Sequence, residues 1–311
     1  MSRSIEKNSQ DWHPDHDAGW DSLIARMTHL VTCGMPFFHP RFGDGEFLSM
    51  TGRRGTNCDG HGYFRDTLGL QLRRVLMEIS RYAECADVSN LFVGGWLDWR
   101  ARSYLDSERI SGKIPWCSTG AFQFGLADLF TLDFLSAVKV SPAKKIIVGP
   151  SHLKCLGDGL GATLIEVPVH NCWLDFDRVH YECSRELCPG ANFLYAAGMM
   201  SEILAWEMWK TDRSTTHVDV GNVMTAIAGA ENTRSYMVAA ESPERRAIAE
   251  HYWPLLGITP PSELPPARPS RRERIAARVA RRAARAARIA ARIARKTEVE
   301  QSRATPALMQ A

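Results

Sequence analysis

The run Phe38-His39-Pro40-Arg41-Phe42-Gly43-Asp44-Gly45-Glu46-Phe47 decides how the rest of the chain is read. Residues 35–42 read as an apolar strand that breaks into an acidic turn flanked by glycines. Gly43 and Gly45 bracket Asp44, so the backbone there is free to take positive φ and approach a ligand closely. Asp44 and Glu46 stand at i and i+2, and an extended backbone turns both side chains to one face. Two neighbouring carboxylates repel each other, and a hard divalent cation bridged to a phosphate relieves them. The plainer alternative is a solvated Asp-Gly turn with two exposed acids. Arg41 suits either a bidentate contact to a diphosphate or an ion pair with Asp44 or Glu46.

Outward from this run, strand, glycine and helix repeat at intervals of about twenty to thirty residues, the pattern of a parallel sheet with crossover helices. Strand candidates are 90–97, 144–149, 162–167, 192–197 and 216–220. Helical spacing appears in Trp20, Ile24, Met27 and Val31, with Gly34 as a stop, and again over 64–79, 126–138 and 199–210. Asp175 and Asp177 are candidate caps of a helix running to about residue 187, and equally candidate ribose contacts or bases. Residues 114–124 read as a loop carrying Trp116, Ser118 and Thr119. Trp96 and Trp99 follow a strand and suit stacking on a sugar or base as well as core or rim packing. The fold class expected is α/β: a Rossmann-like, mostly parallel sheet with flanking helices.

In such a sheet the turn glycines Gly149, Gly198 and Gly221 fall along the carboxyl edge, where ligands bind. Gly198 opens a helix whose first N–H groups suit an anion. Neither G-x-G-x-x-G nor G-x-x-x-x-G-K-[ST] is present, which argues against a dinucleotide cofactor and excludes a P-loop NTPase.

The net charge of +3 hides an asymmetry. Residues 271–296 hold eleven basic residues and one acid, leaving the rest of the chain acidic. Arg271, Arg274, Arg278, Arg281, Arg285, Arg288, Arg292 and Arg295 line one face of an alanine-rich helix ending near Lys296. Pro254, Pro260, Pro261, Pro265, Pro266 and Pro269 mark a stiff linker before it. The expected organisation is a flexible terminus (1–18), a body (19–253), the linker (254–270), the basic helix (271–297) and a flexible end (298–311). The acid and histidine cluster within 1–18 reads as a solvated terminus rather than a metal site. Eight cysteines without a C-x-x-C fit a reducing compartment, and Cys58 with His61 lack a second pair for zinc. No signal peptide or membrane-length apolar run is read, so a cytoplasmic protein, peripheral at most, is expected.

The run RFGDGEF resembles the signature of the GT-D type glycosyltransferases. The segments IIVGPSH, IEVPVHNCWLDFD, FLYAAGMMSEILAWEM and THVDVGN are similar in order and type to segments of that family, over roughly residues 20–228. Two departures are Asn222, where the resemblance places a histidine, and His152, in a loop expected to be more polar. The resemblance implies a metal-dependent enzyme on a Rossmann-like sheet that takes a UDP-sugar. Mn2+ (or Mg2+) would sit at Asp44 and Glu46. Arg41, Gly43, Gly45, Gly149, Gly198, Ser201 and Gly221 would line the nucleotide-sugar site. Asn171, Trp173, Asp175 and Asp177 would meet sugar or acceptor, and Asp219 is a candidate base.

The function expected is therefore transfer of a hexose to a hydroxyl of a glycan, glycoprotein or lipid-linked acceptor. Alternatives are glycosylation of a modified DNA base, a metal-dependent phosphoesterase or nuclease, and a non-enzymatic module tethered by its basic tail. That tail suits an anionic membrane surface, nucleic acid phosphate, or solvent alone.

Overall fold

The computed structural model describes residues 19–52, 67–97, 99–110, 113–119, 121–122, 129–228 and 243–259. The chain divides into two compact units, Met1–Pro265 and Pro266–Ala311, and the described residues all belong to the first. The acid and histidine cluster of the N-terminus, the Cys58/His61 loop, the prolines after Pro254 and the basic helix lie outside the described residues.

Eight strands are described: β1 (Phe38–His39), β2 (Arg41–Phe42), β3 (Val93–Gly95), β4 (Trp116–Ser118), β5 (Lys145–Gly149), β6 (Thr163–Glu166), β7 (Asn192–Tyr195) and β8 (Thr216–Asp219). Every pairing between them is parallel. One sheet has the order β1-β8-β7-β5-β6 and the other β2-β3-β4. The segment from Phe38 to Phe42 joins them. Phe38 N donates to Asn90 O, Phe92 N to Phe38 O, Gly94 N to Pro40 O and Trp96 N to Phe42 O, each at 2.9 Å. On its other side His217 N donates to Phe37 O at 3.0 Å. The expected long strand over 35–42 is therefore two short ones that straddle Pro40, which has no N–H to give. The segment expected as a loop over 114–124 contains β4, a correction to the sequence reading.

Helices cover both faces, because alternate strand residues point to opposite sides. Ile146, Val148, Phe193 and Tyr195 pack with α3 (Leu68–Cys85), α7 (Phe176–Glu186) and α8 (Met200–Thr211). Ile147, Leu194 and Val218 pack with α1 (Gly19–Thr32), α5 (Leu129–Val140), α6 (Lys154–Leu160) and α9 (Val223–Ile227). The helical stripes expected of Ile24, Met27 and Val31, and of Leu68, Leu72, Val75, Leu76 and Ile79, are buried. Seven cysteines, all but Cys58, are described, and all seven are free thiols.

Two further helices, α2 (Asp44–Met50) and α4 (Trp99–Ser107), follow β2 and β3. The helix α10 (Pro243–Leu256) runs through Pro254, and Leu256 and Ile258 are buried, so the packed body continues past residue 253, where the linker was expected to begin.

Candidate active site

Because all the strands are parallel, their carboxyl ends share one edge. β2 and β8 carry the candidate acids to it. The chain leaves β1 and β2 for β3 and β4 on one side, and β8 pairs with β1 on the other, so the ends of β2 and β8 are brought near each other on that edge, where ligands bind in open α/β sheets.

Asp44 and Glu46 are not on an extended turn. They occupy the first turn of α2, with Gly43 as N-cap at φ −85° and ψ −169°. Neither Gly43 nor Gly45 takes positive φ. At i and i+2 of a helix two side chains diverge by about 200°, so the expected shared face is lost. Instead Glu46 folds back: its Oε2 accepts the Gly43 N–H at 2.7 Å, half of a capping box. Asp44 is exposed, and its Oδ1 accepts the Gly45 N–H at 2.9 Å. A negative charge in the first turn also suits the helix dipole. α2 is pressed into place by α3: a side chain on Gly69 would come within 2.3 Å of the Ser49 carbonyl.

Arg41 pairs with Asp219. Its Nε donates to Asp219 Oδ2 at 2.9 Å and its Nη1 to the Ala121 carbonyl at 3.3 Å. The two side chains are 14% and 8% exposed. Gly221 admits the guanidinium. A Cβ there would fall 1.9 Å from Arg41 Nη2, and the φ of +65° is itself one that side chains avoid.

A residue that the sequence reading passed over completes the group. Glu202, in the first turn of α8, is 1% exposed, and its Oε2 has no hydrogen-bond partner. Burial pushes its carboxyl well above the usual range. Asp219 and Glu46 push it further, while Arg41 draws it back. Glu202 thus feels the carboxylates of Asp219 and Glu46 and the guanidinium of Arg41 together.

The remaining candidates lie at neighbouring strand ends. Gly149 closes β5, and the space its missing side chain leaves is filled by Leu153. Gly198 has φ +57° and precedes Met199, the N-cap of α8; Ser201 is buried, its Oγ accepting the Ala197 N–H at 3.1 Å. The loop after β6 docks here through Cys172 Sγ, 2.8 Å from the Ala197 carbonyl. In that loop Asn171 has φ +57° and a buried Oδ1 without a partner. Trp173 packs against Phe176 with centroids 4.9 Å apart and planes tilted by 45°, and donates through Nε1 to Thr67 Oγ1 at 3.2 Å. Asp175 is the N-cap residue of α7 but makes no side-chain cap; it pairs with Arg178 at 3.0 Å, and Asp177 is exposed on the first turn. The structure therefore gathers Arg41, Glu46, Asp219 and Gly221, and leaves Asn171, Trp173, Asp175 and Asp177 on the segment that runs from β6 into the first turn of α7.

Behind the edge, β1 and β8 carry two buried histidines. His39 bonds the Phe92 carbonyl at 2.6 Å through Nδ1, and burial holds its pKa down to about 3. His217 lies between Tyr195 Oη (2.8 Å) and Thr215 Oγ1 (2.7 Å) and is likewise held at about 3 by burial.

No protein-family model and no curated protein matches the chain. Two solved structures are similar to it. One is a selenomethionine-substituted structure of domain of unknown function 1792 (DUF1792), 15% identical, covering 80% of this chain and 86% of that one at a TM-score of 0.45. The other, of the same domain, is described as having a distinct glycosyltransferase fold; it is 14% identical and covers 82% and 91% at a TM-score of 0.44.

Proposed function

We propose that the chain is a metal-dependent glycosyltransferase that moves a hexose from a UDP-sugar to a hydroxyl of a glycan, glycoprotein or lipid-linked acceptor. The observation that carries this reading is the gathering of Arg41, Glu46, Glu202 and Asp219 where β2 and β8 end, beside the exposed carboxylate of Asp44. The resemblance of the RFGDGEF run and its downstream segments supports it.

The donor set suits a hard cation, since the side chains are oxygen ligands and the cluster holds more carboxyls than positive charge. Among the described residues no three His, Cys, Asp or Glu side chains are placed to close around an ion. Asp44 and Glu46 would hold Mn2+ or Mg2+ together only once Glu46 leaves the Gly43 N–H and turns toward Asp44. Bound there, the ion supplies Lewis-acid stabilisation of the leaving diphosphate.

Arg41 adds a fixed positive charge at the strand edge. Asp219 and Ala121 orient it before substrate arrives, so little reorganisation is required as charge develops. In this reading Asp219 also takes the proton of the acceptor hydroxyl. The Gly198 turn, with Ser201 fixing it, borders the diphosphate, Gly149 the nucleotide, and Asn171 and Trp173 the donor sugar. Residues 271–296 serve as an address to an anionic membrane surface at the cytoplasmic face. No described helix is long and apolar enough to cross a membrane.

A panel of UDP-sugars tests the reading. One is hydrolysed with Mn2+, the turnover stops with EDTA, and Glu46→Gln lowers it about a hundredfold with the fold intact. Equal turnover by the variant overturns the site.

A further inference from the structure

Two tryptophans stand exposed on the edge that carries the acids. Trp96 is 51% and Trp99 72% exposed, whereas Trp116, Trp206, Trp209 and Trp253 are buried. Trp96 leaves β3 directly beside the start of α2. The β2–β3 register pairs Phe42 with Gly95, and the Trp96 N–H donates to the Phe42 carbonyl at 2.9 Å. The next residues are Gly43 and Asp44 after β2 and Trp96 and Leu97 after β3. Leu97 packs inward, and its carbonyl accepts from Arg102 Nε at 3.1 Å, which fixes the segment from which both indoles extend. Trp99 opens α4 with the Arg100 guanidinium 5.2 Å from its ring centroid.

We propose that Trp96 and Trp99 form the acceptor subsite, on which a pyranose ring of the acceptor glycan stacks beside the catalytic acids. This rests on the glycosyltransferase reading above. An indole offers a flat apolar body to the C–H face of a sugar, and its ring quadrupole draws partial positive charge. The surroundings favour a sugar over a lipid or protein surface. Leu97 packs against the core, so among the described residues it does not join the two rings into one apolar patch. Polar and charged groups flank them instead: Ser118, level with Gly95 at the end of β4, and the exposed Arg100. Stacking faces with hydrogen-bonding groups between them are what a polyhydroxylated ring needs. The position fits the chemistry, since an acceptor hydroxyl must reach a donor held at the acids that begin two residues after Phe42.

The full chain, labelled with 5-fluorotryptophan, has nine indoles to follow by 19F NMR. Trp96→Phe and Trp99→Phe assign the two resonances. The probes are methyl glycosides of glucose, galactose and N-acetylglucosamine, with lactose, each added without donor. At least one shifts the Trp96 and Trp99 resonances saturably and leaves the buried ones in place, and Trp99→Ala weakens that sugar's binding about tenfold or more. Absence of any response in the unsubstituted chain, or equal binding by Trp96→Ala and Trp99→Ala, overturns the subsite. So does a shift produced only by phosphatidylcholine vesicles. UDP-sugar hydrolysis by the unsubstituted chain tests the glycosyltransferase reading separately, because it needs no acceptor.

Discussion

Arg41 and Asp219, 178 positions apart in the chain, form an ion pair with Nε 2.9 Å from Oδ2. The pair ties the end of β2 to the end of β8 and so fixes the edge on which the other acids stand. Both side chains are mostly out of water, so removing one partner strands the other. Asp219→Ala is expected to cost about 3 kcal/mol, within the usual range for breaking a buried pair. Glu202 remains within the field of Arg41 and keeps the loss at the lower end of that range. Urea unfolding of the variant measures it, and a loss below about 1 kcal/mol would place the pair among ordinary surface ion pairs.

Gly221→Ala tests the same pair from its other side. The new methyl would stand 1.9 Å from Arg41 Nη2 at a backbone φ of +65°. Strain and displacement of the guanidinium together are expected to cost about 2–3 kcal/mol. UDP-sugar turnover should fall more steeply than stability, because Arg41 loses its orientation. Gly34→Ala is the control: its φ is also positive, at +66°, but no atom lies within 4 Å of the added carbon. It should show the backbone strain without the loss of turnover.

Glu46 has two jobs that separate by substitution. It caps α2 through the Gly43 N–H, and it is the proposed metal ligand. Gln at this helix position also caps, whereas Ala does not. Glu46→Gln is expected to hold stability within about 0.5 kcal/mol, and Glu46→Ala to lose about 1 kcal/mol. Mn2+ affinity, measured by electron paramagnetic resonance of the free ion, should fall in both. If Gln binds Mn2+ as the parent does, the carboxylate is a cap and nothing more.

The parallel sheet was legible because short apolar runs between glycines have few other readings. β4 was not. Trp116-Cys117-Ser118 is too short to show a period, and only its register with β3 makes it a strand. α2 was hidden for a different reason. Asp-Gly reads locally as a turn, and the helix there is secured by a Glu46 cap and by α3 packing at Gly69, contacts that a glycine-rich sequence does not advertise. Arg41 was legible as a charged residue at a strand end but not its partner, since the pairing spans most of the body. Glu202 was missed because a glutamate in a first helical turn ordinarily faces water and the helix dipole. Its burial is decided by α8 being covered nearly all round, from Met200 to Ala205. Gly221 was read as a turn glycine, while its second purpose, clearing a path for Arg41, needs the fold.

The buried titratable groups predict a stability profile with two limbs of opposite origin. His39 and His217 have pKa values of about 3 in the fold, below the usual 6.5, because burial penalises their charged forms. The unfolded chain therefore binds protons that the folded chain refuses. Stability is present above about pH 6.5 and is lost as pH falls toward 3, with a slope near the middle of roughly 2.7 kcal/mol per pH unit for two groups. Glu202 acts in the other direction. Its folded pKa is raised well above 4.5, so the folded chain keeps a proton that the unfolded chain gives up. Its contribution is complete below about pH 4.5 and is lost as pH rises. Glu202→Gln keeps a neutral side chain of the same shape and removes this alkaline loss. Thermal melts from pH 4 to pH 9 should show the variant gaining on the parent above pH 5 and sharing its acid limb. His217→Gln should flatten the acid limb alone. A parent and Glu202→Gln variant that run parallel across the whole range would show that the buried carboxyl is already ionised in the fold.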